Sequence, residues 1–291
     1  TVTLQDFTGP NLNFLNGNLG GANDTLAIAG SMNNDIPVIA GFESFAQNST
    51  GTSSFTADTT FATKVDINSG VLDLNDKVLT TPQVNVNSTL LGAGTVNGNV
   101  TVNSAGTIFN NDAANAPLVI NGNLTLNQNS TVNVAVTGKT GTVANTSSIT
   151  ATNVTETGPV TVRVTSPLYL NSGETATILS GAGLNVANYT PLASNGPVAL
   201  NLQVVGNDLV ATVNRTSYTD FAGTTSPQGK LILPILDSFA PQATGEELRA
   251  FLALDTLTPA QLNKAVASIA PTAHTNQYQA TINTYNNASK N

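Results

Sequence analysis

The chain has no cysteine and no tryptophan, and only one histidine and one methionine among its 291 residues. Without cysteine there is no disulfide, no thiol nucleophile and no thiolate metal site. One imidazole, that of His274, cannot build a histidine-rich metal centre. Charge is equally scarce: 9% of residues are Asp, Glu, Lys or Arg, whereas ordinary soluble domains carry about 25%. The balance is acidic, with net charge -8 and a pI near 4.3. That argues against nucleic acid, which needs a basic footprint, and against a polybasic contact with anionic lipid. No apolar run is long enough for a membrane-spanning helix. No basic segment followed by an apolar stretch comes after Thr1, so any export signal is expected to lie outside this sequence, in a longer precursor.

What is present is Asn, Thr, Ser and Gly, threaded with Val, Leu and Ile, at a mean hydropathy of +0.04. Such a chain can bury a core, unlike the charged, weakly hydrophobic sequences that stay disordered. From about 60 to 136 it repeats. Val65-Asp66-Ile67-Asn68-Ser69 is echoed by Val84-Asn85-Val86-Asn87-Ser88, by Val100-Thr101-Val102-Asn103-Ser104 and by Leu124-Thr125-Leu126-Asn127-Gln128. The stretch from Asn97 to Ile108 aligns with Asn121 to Val132 at an offset of 24 residues. Each unit is a short strand with aliphatics at alternate positions, closed by Asn or Gly. Alternation puts the aliphatics on one face, and Asn and Gly tolerate the left-handed backbone of a sharp corner.

One such strand cannot bury its face alone. Stacked coils of roughly 16 to 24 residues can, each pairing with its equivalents above and below. The expected fold is therefore mainly β: a right-handed parallel β-helix, a solenoid of roughly ten coils about 50 Å long at the strand spacing of a sheet. A β-sandwich is the alternative, since it also uses short strands and frequent turns. Phe42, Phe45, Phe55 and Phe61 read as core residues of the early coils rather than a binding face. Gly20-Gly21-Ala22-Asn23-Asp24-Thr25-Leu26 brushes against the nonapeptide calcium repeat, but that repeat works in tandem, and a single copy reads as a polar corner.

From Val160 to Asn214 the strands lengthen. Val198 to Val205, the turn Gly206-Asn207-Asp208, and Leu209 to Val213 predict a β-hairpin that would close the last open edge of the stack. After Tyr218 helix formers take over. Thr244 with Glu247, and Thr258 with Pro259 and Gln261, fit helix-start capping patterns.

These residues resemble a family. Leu91-Gly92-Ala93-Gly94-Thr95-Val96-Asn97-Gly98-Asn99-Val100-Thr101-Val102-Asn103, continued by Asn121 to Val132, is similar to the passenger-associated transport repeat of bacterial autotransporters. Gly41-Phe42-Glu43-Ser44 through Leu74 resembles the coils that precede that repeat. Gly173 to Leu179 and Asn207 to Val213 resemble the end of a passenger, and Ser217 to Ala222 with Leu257 to Pro271 resembles the helical junction before the translocator barrel. Where the family carries a Pro-Gly-Asn-Ser-like corner, this chain has Phe109-Asn110-Asn111-Asp112-Ala113. The Asn- and Thr-rich style is similar to surface antigens of intracellular bacteria such as rickettsiae.

The resemblance implies type V secretion and display on the bacterial cell surface, anchored at the outer membrane by a barrel not found in this chain. It implies passenger coils over 1–159, a cap acting in folding over 160–216, and a helical linker over 217–291. The implied partner is the barrel of the same precursor. Host-receptor binding and self-association into a coat are the other readings.

An enzymatic reading finds little. His274 stands in a polar tail, and no Gly-x-Ser-x-Gly elbow accompanies it. β-Helical polysaccharide lyases and hydrolases cluster acids along a groove; Asp66, Asp73 and Asp76 are the nearest candidates, spaced for one coil and its corner. Asn286-Asn287 could be a self-cleaving pair, but in an Asn-rich tail it reads as linker. Triplets such as Asn48-Ser49-Thr50 follow from composition. No residue is assigned as catalytic, cofactor-binding or metal-ligating, and no cofactor is expected. If the predicted hairpin nucleates folding, polar substitution at Val198, Leu200 or Val210 should block folding more than the same change near Leu26.

Overall fold

The computed structural model describes residues 1–5, 14–16, 24–114, 116–192, 194–223 and 226–269. His274 and Asn286-Asn287 lie outside them, as does most of the calcium-like motif. The chain is mainly β, with a long, mostly parallel sheet and a few helices.

Two parallel ladders dominate. The first runs through Val2–Gln5, Thr25–Ala29, Ser44–Gln47, Lys64–Ile67, Val78–Val86, Gly94–Val102, Leu118–Leu126 and Ile149–Glu156, each paired in parallel with the next. The second runs through Asn34–Ile36, Thr52–Phe55, Val71–Asp73, Thr89–Leu91, Thr107–Asn110, Thr131–Thr140, Val160–Thr165 and Tyr189–Pro191. From Thr25 onward the chain passes back and forth between them, adding one layer to each at every return.

In-register columns explain the repeat. Leu26, Phe45, Val65, Val84, Val100 and Leu124 pair in succession and are fully buried. Leu72, Leu90, Ile108, Val132 and Val162 do the same on the second ladder. Phe45 packs on Phe55 and Phe61 at ring-centroid distances of 6.0 and 5.4 Å, so these rings belong to the core.

In the nine-residue strand Gly94–Val102 the alternation of buried residues breaks around Gly98, where a side chain has no room. A Cβ on Gly98 would stand 1.7 Å from the Thr81 carbonyl oxygen, and one on Gly122, a layer above, 2.3 Å from that of Gly98. The Asn-Gly-Asn motif thus marks a close backbone approach repeated in adjacent layers.

The asparagines that close the repeat units are not the corner residues. The left-handed backbone falls at Ala105 (φ 66°) and Asn129 (φ 65°), two positions beyond Asn103 and Asn127. The closing asparagines form a side-chain ladder instead: Asn68 donates to Asn48 at 2.9 Å, Asn87 to Asn68 at 3.1 Å, Asn103 to Asn87 at 2.7 Å and Asn127 to Asn103 at 2.9 Å. Thr157 continues the column, its hydroxyl donating to Asn127 at 3.2 Å. Such amide stacking is open to strands stacked in register. The column also shows that layer length varies, from 16 residues between Asn87 and Asn103 to 30 between Asn127 and Thr157.

Antiparallel pairing enters among the last layers, while parallel pairing runs on through Ile149–Glu156, Val160–Thr165 and Tyr189–Pro191. Thr131–Thr140 turns at Gly141 and pairs back with Val143–Thr146. Thr175–Ala182 takes Asp208–Arg215 as an antiparallel neighbour, with Ala176 opposite Ala211. Val198–Val205 leads into that strand through a turn at Gly206. Within Asp208–Arg215 the buried residues are Leu209, Ala211 and Val213. Val210 faces the other way and is half-buried, as are Val198 and Leu200, so the expected sensitive positions are off by one on this strand.

The chain separates into two compact units, 1–193 with 200–214, and 194–199 with 215 onward. No unit boundary falls at 159/160. The second unit holds helices α1 (Tyr218–Ala222), α2 (Pro227–Phe239), α3 (Gly245–Leu254) and α4 (Pro259–Ile269). Tyr218, Leu233, Leu262 and Val266 are among its most deeply buried residues, and the Tyr218 and Phe251 rings stack at 6.2 Å. Thr258 and Gln261 form the expected reciprocal cap of α4. Thr244 occupies the cap position of α3 but makes no side-chain capping bond. None of the described helices is long and apolar enough to cross a membrane.

Candidate functional site

The three acids singled out in the sequence do not converge. Asp66 lies on the outer side of the first ladder, between buried Val65 and Ile67, where Lys64 pairs with it at 2.7 Å and Asn85 donates to it at 2.8 Å. Asp73 lies on the outer side of the second ladder. Its carboxylate accepts the backbone N–H of Asn75 at 2.9 Å and the hydroxyl of Ser54 at 3.5 Å. Burial raises its pKa above the usual carboxylate range, and the Asp76 charge adds to that, while the two hydrogen bonds oppose it. Gly92 is part of the same corner: a Cβ there would meet Asp73 Oδ1 at 2.4 Å.

Asp76 faces a shallow, open depression together with Asp112, Thr95 and Val119. Asp112 is committed to its own loop, accepting the Ala116 N–H at 2.7 Å. Among the described residues no three His, Asp or Glu side chains gather as metal ligands would.

The concentrated polar chemistry lies where the parallel run ends. Glu174 is 5% exposed. Its carboxylate receives Lys139 Nζ at 3.0 Å, the Asn171 backbone N–H at 3.0 Å and the Asn171 side-chain amide at 2.8 Å. Lys139 also donates to the Tyr169 carbonyl. A second acid, Glu156, accepts the Tyr189 hydroxyl at 2.5 Å. Burial first, then the bond to Glu156 and its charge, push the Tyr189 phenol well above its ordinary pKa.

The helical unit has its own buried pair. Arg215 grips Asp255 with both guanidinium nitrogens, at 2.8 and 2.5 Å, and Tyr218 donates its hydroxyl to the same carboxylate at 2.7 Å. Asp237 on α2 accepts the Tyr218 and Thr219 backbone N–H groups at the start of α1, where the positive end of a helix favours a carboxylate. No sequence pattern announced these knots, because Lys139 is 35 residues from Glu174 and Arg215 is 40 from Asp255.

No protein-family model matches the chain, and no curated protein matches it.

Proposed function

We propose that this chain is a non-catalytic, membrane-proximal stalk of a bacterial autotransporter passenger, folded as a right-handed parallel β-helix. The observation that carries the reading is the alternation of two parallel ladders, with every return of the chain adding a layer in register. Layers of unequal length that keep one aliphatic column and one asparagine column are what a solenoid requires and a sandwich does not. The polar, weakly charged outer side suits a surface that displays rather than catalyses.

The antiparallel strand Asp208–Arg215 supports the second part of the proposal. A parallel stack presents an open edge at its last layer, which would recruit other chains. Pairing with Asp208–Arg215 occupies an edge of Thr175–Ala182. As a preformed end it would template the layers before it during export, and the helices beyond would lead towards a barrel in the outer membrane.

The experiment is to read the gene past the codon for Asn291. About twelve alternating, aromatic-flanked strands support the proposal; a stop codon close by favours a secreted β-helix instead. One observation favours a second reading, self-association: Leu231, Ile235 and Phe239, four residues apart on α2, are 71%, 53% and 63% exposed. Sedimentation of Ile235→Asp against the parent chain separates the two.

A further inference from the structure

The knot around Glu174 contains one group more than an ion pair needs. Lys139 sits on Thr131–Thr140, opposite Ala144 of the antiparallel partner. Asn171 and Glu174 lie just before Thr175–Ala182. The amine of Lys139 and the carboxamide of Asn171 touch the same oxygen, Glu174 Oε1, at 3.0 and 2.8 Å. The other oxygen, Oε2, is pinned by the Asn171 backbone N–H at 3.0 Å. The backbone holds this geometry too: the Glu174 carbonyl accepts Val213 N–H at 2.8 Å, and the Thr142 carbonyl accepts Thr175 N–H at 3.0 Å. Tyr169 and Leu170, 8% and 7% exposed, precede Asn171, which is itself half-buried.

A nucleophile and an acyl group, each within hydrogen-bond reach of one proton carrier, are the parts of an acyl transfer. We infer that Lys139 and Asn171 become joined by an intramolecular isopeptide bond, with Glu174 carrying the protons. Glu174 takes one proton from the Lys139 ammonium, leaving a free amine. The lone pair on Nζ attacks Cγ of Asn171, forming the new C–N bond and moving the carbonyl electrons onto Oδ1. Glu174 passes its proton to Nδ2 along the existing contact and collects a second from Nζ. The carbonyl re-forms, the Cγ–Nδ2 bond breaks, and ammonia leaves, taking the proton from Glu174 as ammonium. A primary amide and an alkylammonium have become a secondary amide and ammonium. Nothing is oxidised or reduced, and the carboxylate is restored.

The placement gives the bond a use. It would tie the hairpin at Gly141 to the segment that begins the closing strand pair, where parallel layering stops. A covalent closure there limits the unfolded chain and resists unzipping from that end. Because the three groups meet only in the folded chain, the bond would form after folding, and the chain stays linear until then.

The test is the intact mass of the full chain, purified folded and held at neutral pH until its mass is constant. The expected mass is lighter than the sequence by one ammonia. Trypsin then fails to cut after Lys139, and a branched peptide joins Lys139 to Asn171. Glu174→Gln and Lys139→Arg keep the full mass; Lys139→Arg retains the cation, so its circular dichroism verifies that it folds. A wild-type chain at full sequence mass, with Lys139 modified by an amine reagent after denaturation, overturns the inference. Loss of one water instead would place the link on Glu174 and overturn the assignment to Asn171.

Discussion

The side-chain amide of Asn127 donates to the side-chain oxygen of Asn103 at 2.9 Å, across 24 residues of chain. Asn103 in turn donates to Asn87 at 2.7 Å, so its side chain serves two layers at once. Asn103→Ala removes both bonds without leaving a buried group unpaired, since the column is on the outer side. It should cost about 1 kcal/mol per hydrogen bond lost. Urea unfolding with an unchanged slope and a lowered midpoint would check this.

Gly98 and Gly206 make a controlled pair. Both have positive φ, but a Cβ on Gly98 collides with the Thr81 carbonyl oxygen, whereas one on Gly206 meets nothing within 4 Å. Gly206→Ala should cost only the left-handed backbone penalty, about 1–2 kcal/mol. Gly98→Ala must also push two layers apart, and should leave little folded protein. Thermal melts of the two variants side by side decide the matter.

Asp73 carries a pH signature. Its folded pKa is raised above the ordinary 3.8, with desolvation as the main cause. The folded state therefore holds its proton more tightly than the unfolded state. This group's contribution to stability is fullest below pH 3.8 and declines as pH rises through the folded pKa. Asp73→Asn removes the ionisation, so its stability relative to the parent should be higher at pH 7 than at pH 3. Paired urea titrations at the two pH values measure it; an identical difference at both would contradict the assignment.

In the helical unit, Asp255→Asn leaves Arg215 without its counter-charge. The side chains are 7% and 12% exposed. Removing one partner of a buried pair costs about 3–5 kcal/mol. The expected outcome is loss of helical signal and early proteolysis within 215–269, with the β signal retained. Coincident loss of both would mean that the two units unfold as one.

Much of this was legible in the sequence, for identifiable reasons. The Val-x-Val-Asn units predicted strands with aliphatics on one face, and Val84, Val100 and Leu124 form one buried column. Asn103 and Asn127 were misread as corners because Asn suits both a left-handed turn and a stacked ladder, and only register tells them apart. Helix α2 lies inside the helical stretch expected after Tyr218 but was not singled out there, since Gly229 and Pro234 interrupt its pattern. Val210 was taken for an inward residue where Leu209 is buried, because Leu209-Val210 offers two apolar neighbours and alternation alone does not choose between them. Asp66 and Asp73 were spaced for one coil and its corner, and the structure puts them on strands of different ladders. The Lys139–Asn171–Glu174 knot left no sequence signal at all.

The most direct test of the stalk reading places residues 1–291 between an export signal and an outer-membrane translocator barrel, in the parent form and with Leu209→Asn, Leu26→Asn or neither. Surface-exposed, protease-resistant chain is then measured on intact cells. The account predicts efficient display of the parent, near-complete loss with Leu209→Asn at the closing strand, and a milder loss with Leu26→Asn in an early layer. Equal losses at the two positions would contradict a folding nucleus at the closing end, and a parent chain that never reaches the surface would contradict the passenger reading itself.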